Sequence, residues 1–499
     1  MHRHPRLALL VLTAALAGTA TACGDSAPAR LSADQLRDPA ACQGCHPKQF
    51  AAWSKSMHAY AADDPVFLAM NQRGQRETAG ALGSFCVKCH APLAVREGLT
   101  TDGLNLATVP REKKGVTCFF CHSAESIDGT HDNPLVLATD GRMLGPIADP
   151  EPSAPHGSAY AAMLDDGKTE SAATCGSCHD IVNGHGVALE RTFQEWQQTL
   201  FAVPPHGLSC AACHMTGSDD KAAVTSKRIR RLHDHAFPAV DVTLTATPTA
   251  AELEHRRAVQ DQLDSTVQGT ICFNDGTQSI TVAVDNVGAG HSFPSGASQD
   301  RRLWLEVAAY AGAQVLYQSG VKATETVETA TDPDLVVLRD CIFDDAGNEV
   351  RMFWEAQDQT INLLPGPVVA TAQDPTSFNR THVKYAFPRT GTLDASPDRI
   401  TLQVYLKPVG DDVLASLVAS GDLDPAVAAL VPTFAIGGGG TLQWSRAGAT
   451  ASIDATTGDR LLCVAAGAYT PVSMIATGKS HAHCVAPART ATPEPETQR

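Results

Sequence analysis

Five copies of Cys-x-x-Cys-His stand in the first half of this 499-residue chain, at Cys42-Cys45-His46, Cys86-Cys89-His90, Cys118-Cys121-His122, Cys175-Cys178-His179 and Cys210-Cys213-His214. Two cysteines three apart lie on one side of a helical turn and can bond two vinyl groups of a porphyrin, while the imidazole that follows reaches its iron. That is the attachment chemistry of haem c. At the chain's own Cys and His frequencies roughly 0.02 such pentapeptides would arise by chance, so five cannot be accidental. Zinc knuckles and thioredoxin-like pairs also use Cys-x-x-Cys, but neither requires a histidine after every second cysteine. The expected cofactors are five covalently attached haems c.

Each iron then needs, or lacks, a sixth ligand. Outside the motifs and the first four residues stand His58, His131, His156, His185, His206, His233, His235, His255, His291, His382, His481 and His483. Supply exceeds demand, so bis-histidine ligation of every haem is possible, and closed irons would leave electron transfer as the function. A single five-coordinate haem would instead make the chain an oxidoreductase for a small nitrogen or sulfur compound. His156 and His206, each in a Pro-His-Gly turn, and His185, between Gly184 and Gly186, are candidates because flanking glycine lets a backbone approach a flat ring.

The elements that must position these groups are short. The motifs span residues 42–214, about 35 residues for each haem, which leaves little polypeptide for a core of its own. The porphyrins must be that core, with short helices and irregular loops around them and neighbouring edges close enough to form a conducting row. Residues 41–237 are read as this cytochrome domain. Residues 249–265 predict a helix opened by a Thr249/Glu252 capping box, within a linker over 238–268. From 269 to 484 apolar runs at 279–284, 302–310, 314–317, 335–343, 382–387, 399–406 and 441–444 alternate between turn residues and predict a β-sandwich-like domain of about seven strands. Residues 411–431 read as helical with a break at Gly421. The fold class expected is α+β and multidomain: a haem-packed, mostly helical or irregular N-terminal domain followed by a β-sandwich-like domain.

The N-terminus bears on compartment. Residues 1–6 are basic, 7–17 form an apolar run too short to span a bilayer, and small residues follow, which together describe an export signal over 1–22. Ala20-Thr21-Ala22-Cys23 resembles the lipobox of bacterial lipoproteins, with Ala20 in place of the usual leucine. That resemblance implies a lipid anchor on Cys23, a tether over 23–40, and a periplasmic, outer-membrane or cell-surface address. Beyond Cys23 and the ten motif cysteines remain Cys272, Cys341, Cys463 and Cys484, an even set that suggests two disulfides. Of the three connectivities, Cys463 with Cys484 and Cys272 with Cys341 is preferred. A net charge of −16 argues against nucleic acid and leaves redox proteins as the expected donors and acceptors. The one basic cluster, Lys227, Arg228, Arg230 and Arg231, reads as a solvated helix face or as partners for haem propionates. Residues 485–499 are disordered by composition.

The first motif, followed by Gln49-Phe50, Trp53, Ser56 and His58, resembles the opening of the cytochrome c-554 type of multihaem cytochromes, relatives of hydroxylamine oxidoreductase. The resemblance implies that His58 is a distal haem ligand. It continues at His233-Asp234-His235-Ala236-Phe237-Pro238, where similar proteins place a distal histidine, with His235 favoured over His233. The run from Asn286 through His291 to Gly296, then Arg301-Arg302-Leu303-Trp304-Leu305-Glu306, resembles a carboxy-terminal module of exported multihaem cytochromes. His291, in its Gly-rich loop, is then placed to cross the domain boundary and cap a haem. Such proteins include both carriers and enzymes, so resemblance alone leaves catalysis open. No motif ends in Lys as in multihaem nitrite reductases, and no crosslinking tyrosine of the hydroxylamine oxidoreductase kind is identified. The expectation is an exported pentahaem electron relay, with the β domain as its possible docking module.

Overall fold

The computed structural model describes residues 29–321, 332–371, 374–379, 381–437, 441–454, 457–465, 474–477 and 484–487. The expected signal, Cys23, His481, His483 and the tail from 488 lie outside the described residues. The chain combines short helices with many strands, an α+β arrangement.

In the first half, helices start where a side chain can satisfy free amides and stop at the motifs. Asp64 caps Pro65–Glu77, Thr117 caps Cys118–His122 and Ser209 caps Cys210–His214. In the last four motifs the histidine closes its helix: Val87–His90, Cys118–His122, Ala172–His179 and Cys210–His214. Part of the expected tether is itself structured. Ser32 and Gln35 form a capping box on Ala33–Arg37, whose Leu36 is buried against Phe119 and Phe120. Four two-stranded ribbons interrupt the helices, each too small to persist without support. One pairs Gly217–Lys221 with Ile229–His233, so the basic cluster lies on a hairpin rather than a helix. There Arg228 and Arg230 pair with Asp149, and Glu151 accepts from the Lys227 and Arg228 amides. Among the described residues no continuous apolar core runs through this half; its apolar side chains form small clusters around Phe67–Leu106 and Phe119–Leu135.

The second half has one large core. Alternation places Ile280, Val282 and Val284, Leu303, Leu305 and Val307, and Ile400, Leu402, Val404 and Leu406 on inward faces. One six-stranded sheet runs Thr450–Ile453, Arg460–Ala465, Val267–Asn274, Ser279–Asn286, Thr381–Phe387, Met474–Thr477. The other runs Gln314–Ser319, Arg302–Ala311, Arg399–Lys407, Phe434–Ile436, with Val336–Leu338 and Leu442–Ser445 added to it. The two bury their inner faces against each other as a sandwich does.

Three expectations change here. The run 335–343 is two strands, Val336–Leu338 and Cys341–Phe343, in different sheets. Between them Arg339 and Asp340 are buried; Arg339 pairs with Glu349, and Asp340 takes Arg191 at 2.5 Å and Ser298 at 2.6 Å. The disulfides are Cys272–Cys463 and Cys341–Cys484, because strand register sets Cys272 directly opposite Cys463 with Cα atoms 4.1 Å apart. Nearness in sequence misled the earlier pairing. The helix Ala250–Asp264 does carry its capping box, but it buries Val259 and Leu263 in the sandwich core and is part of that domain rather than a bridge.

The halves are welded together. Val66, Ala69 and Met70 of Pro65–Glu77 pack with Met352, Val413, Leu414 and Leu417, and Arg76 reaches Asp422 with two bonds of 2.5 and 2.6 Å. Leu417 is fully buried in that shared cluster. Leu417→Ala should therefore cost about 2–5 kcal/mol and lower the melting of both halves together, read as Soret absorbance and far-ultraviolet circular dichroism; two separated transitions would show that the cluster does not couple them.

Candidate functional site

Each motif histidine except His179 is held by a backbone carbonyl from another segment. Nδ1 of His46 donates to Ala222 O at 2.8 Å, His90 to Ala61 O at 2.9 Å, His122 to Leu144 O at 2.6 Å and His214 to Pro238 O at 2.7 Å. With Nδ1 as the donor, the Nε2 lone pair is left for a metal. Several histidines from outside the motifs show the same habit. His235 donates to His233 O at 3.0 Å, and His291 to Ser292 O at 2.7 Å. His156 does so more weakly, to Gly157 O at 3.3 Å.

Ring positions supply the fit test. His46 faces His156 with ring centroids 6.2 Å apart, His122 faces His235 at 6.3 Å, and His58 faces His179 at 6.3 Å. Two imidazoles bound through Nε2 to one iron, each at about 2.0–2.1 Å, would place their centroids about 6.3 Å apart. The residues present fit an iron between each pair. His291, from the β half, is half-buried beside His214 and His179; desolvation, with those two imidazoles adding, holds it down to about 4. Burial likewise takes His58 to about 3 and His179 and His235 to about 4. These rings are neutral at pH 7, the form that ligates.

His58 sits among the imidazoles of four motifs or their partners, His179, His214, His90 and His235. Its backbone is gripped: Val116 N–H donates to His58 O at 2.8 Å, and Trp53 Nε1 donates to Val116 O at 2.8 Å. Gly115 makes that approach possible, with φ +69° and space so tight that a Cβ would stand 2.6 Å from His58 O. Phe237 lies edge-on to the His58 ring at 4.4 Å and to the His235 ring at 5.9 Å, on a left-handed backbone of φ +48°. A non-glycine residue held there marks a position that its surroundings over-determine. Phe237 stands in the sequence within the run from His233 to Pro238, whereas Gly115 carries no motif signal of its own.

Other candidates fall elsewhere. His233 uses both nitrogens, Nδ1 on Met215 O at 3.1 Å and Nε2 with Asp166 at 3.3 Å, so it is occupied as a structural residue and His235 takes the facing position. His185 is exposed on a turn, and His206 lies in a turn closed by its own N–H on Val203 O. The Nε2 atom of His206 is buried. His90 differs from the other motif histidines: its ring lies flat on Phe67, centroids 3.9 Å apart and planes within 3°, and among the described residues no histidine ring faces it.

The thiols show which attachment sites adjoin. Cys42 lies beside Cys118, Cys89 beside Cys178 and Cys175 beside Cys210, while Cys121 feels Cys175. Burial pushes Cys86 and Cys121 up to about 12. The contacts branch: the fourth motif touches the second, third and fifth, and the first meets the third.

Residues 41–123 match the family model of cytochrome c554 and c-prime, a segment that holds the first three motifs and His58. The crystal structure of a penta-haem cytochrome c552 from Thermochromatium tepidum superposes with a TM-score of 0.55, covering 82% of this chain and 99% of that one at 19% identity. No curated protein matches the chain.

Gly115→Ala meets both a forbidden φ and a backbone oxygen, so it is expected to cost about 1–3 kcal/mol and to shift His58. Thermal denaturation and the low-spin fraction of the oxidised spectrum check this; an unchanged spectrum would separate Gly115 from His58.

Proposed function

We propose that this multihaem c-type cytochrome carries five haems and relays electrons, with His156, His235, His58 and His291 on the far sides of the irons of the first, third, fourth and fifth motifs. The observation that carries the reading is the repeated 6.2–6.3 Å spacing of facing imidazoles. A bound haem supplies a one-electron iron couple. The chain's own groups attach it, fix the imidazole tautomer and keep water from both axial sides. Since the thiol contacts branch at the fourth motif, the relay is a fork rather than the single row that motif order suggests.

The histidine of the second motif supports a second reading. With Phe67 against its ring and no imidazole opposite among the described residues, an iron held by His90 would have one side open to a small nitrogen or sulfur compound. We also place the protein outside the cytoplasm, tethered through a lipid on Cys23 and exchanging electrons with partner redox proteins. Two disulfides support an oxidising compartment.

The deciding measurement is electron paramagnetic resonance of the purified oxidised protein with a mass that counts haems. Five haems with at least four low-spin irons support the relay and its four distal histidines; one high-spin iron in addition supports an open site at His90, and more than one overturns the ligand set. His58→Ala should add one high-spin signal while leaving the haem mass unchanged, and a spectrum like the parent's would remove His58 as a ligand.

A further inference from the structure

We infer that the loop His131-Asp132-Asn133 is a clamp that fixes the distance between the second and fourth haem attachment sites, and so sets how strongly those two haems couple. The inference rests on the reading that both motifs carry haem.

The last turn of any helix leaves carbonyls without intrahelical partners. Here those carbonyls belong to the two helices that end in His90 and His179, and one loop serves both. The Asn133 side-chain amide donates to Lys88 O, the residue between the two cysteines of the second motif that adjoins Cys89. The Asn133 backbone N–H donates to Ser177 O, the equivalent residue of the fourth motif, adjoining Cys178. One residue thus ties corresponding positions of two motifs that are 89 residues apart along the chain. Asp132 reinforces the tie. Its N–H donates to Asp180 O at 3.0 Å, its carboxylate accepts from Val182 N at 3.2 Å, and the same carboxylate lies 3.5 Å from the Lys88 ammonium and 3.2 Å from His131 Nδ1.

The backbone conformation says that this is built rather than incidental. Asp132 and Asn133 are both left-handed, at φ +63° and +59°. Two such residues in succession are tolerated when they are Asp and Asn, and are costly for most other side chains. The Cys89 and Cys178 thiols of the two motifs lie beside each other.

The role is positional, since the loop touches attachment segments and not the iron-facing side of either imidazole. Its test uses the haem-loaded protein. Asn133→Asp keeps the backbone preference but turns the amide donor into an acceptor facing Lys88 O; Asn133→Gly keeps the backbone and removes the donor; Asp132→Asn retains the carbonyl that Val182 uses. Magnetic interaction between the second and fourth irons is read by electron paramagnetic resonance, and electron exchange between them by flash reduction. Through-space transfer falls with separation, so both Asn133 variants should weaken the interaction and slow exchange relative to the parent, with Asp132→Asn close to the parent. Parent-like coupling in either fully loaded Asn133 variant overturns the clamp, as does loss of a haem from both, which would make the loop an attachment aid instead. A parent protein with fewer than five haems would sink the pentahaem reading itself, an outcome distinct from either.

Discussion

An imidazole can offer one nitrogen to a metal in a fixed direction only while its other nitrogen is held, and in this chain the holding is done by backbone carbonyls. His46, His90, His122 and His214 each reach a carbonyl from a different stretch of polypeptide. Those stretches are therefore constrained to run where they do. Ala222 belongs to the turn between the strands Gly217–Lys221 and Ile229–His233, Leu144 to a two-stranded parallel ribbon, and Pro238 to the crossing into the second half. Segments with little apolar content of their own are thus given a place by the rings they anchor, which explains how a half without a continuous core keeps a definite shape.

Much of the second half was legible because sheet burial writes itself as alternation. Ile280-Thr281-Val282-Ala283-Val284 and Leu303-Trp304-Leu305-Glu306-Val307 state their inward faces directly. The strand Val267–Asn274 escaped notice since it follows a strong helix signal without a break, and Phe434–Ile436 is too short to show a period. The run at 335–343 misled because the apolar pattern continues across Arg339-Asp340, and only the partners Glu349 and Arg191 reveal why two charges can be buried there. Similarly, the disulfides follow strand register, which spacing along the chain does not encode.

In the first half the motifs were unmistakable and their partners were not. The sequence offered twelve loose histidines, and what separates His235 from His233 is two residues of backbone direction. His233 satisfies Met215 O and Asp166, whereas its neighbour turns inward against Phe237. The residues that aim His58, Gly115 and Val116, lie 57 and 58 positions further on and become meaningful only once the chain has folded back. The β half proved to be more than a tethered module. It supplies Met352, Leu414 and Leu417 to a helix of the first half, and Asp340 to Arg191.

The facing imidazoles also have an order along the chain. His46 faces His156, His58 faces His179 and His122 faces His235, so each arch opens before the preceding one has closed. Arches that overlap in this way cannot be excised one at a time. Any contiguous deletion that removes the third motif with its surroundings strands a partner from the first or the third arch, and a split anywhere between 122 and 156 severs all three. A halved version reassembled from fragments would need all three arches to knit at once.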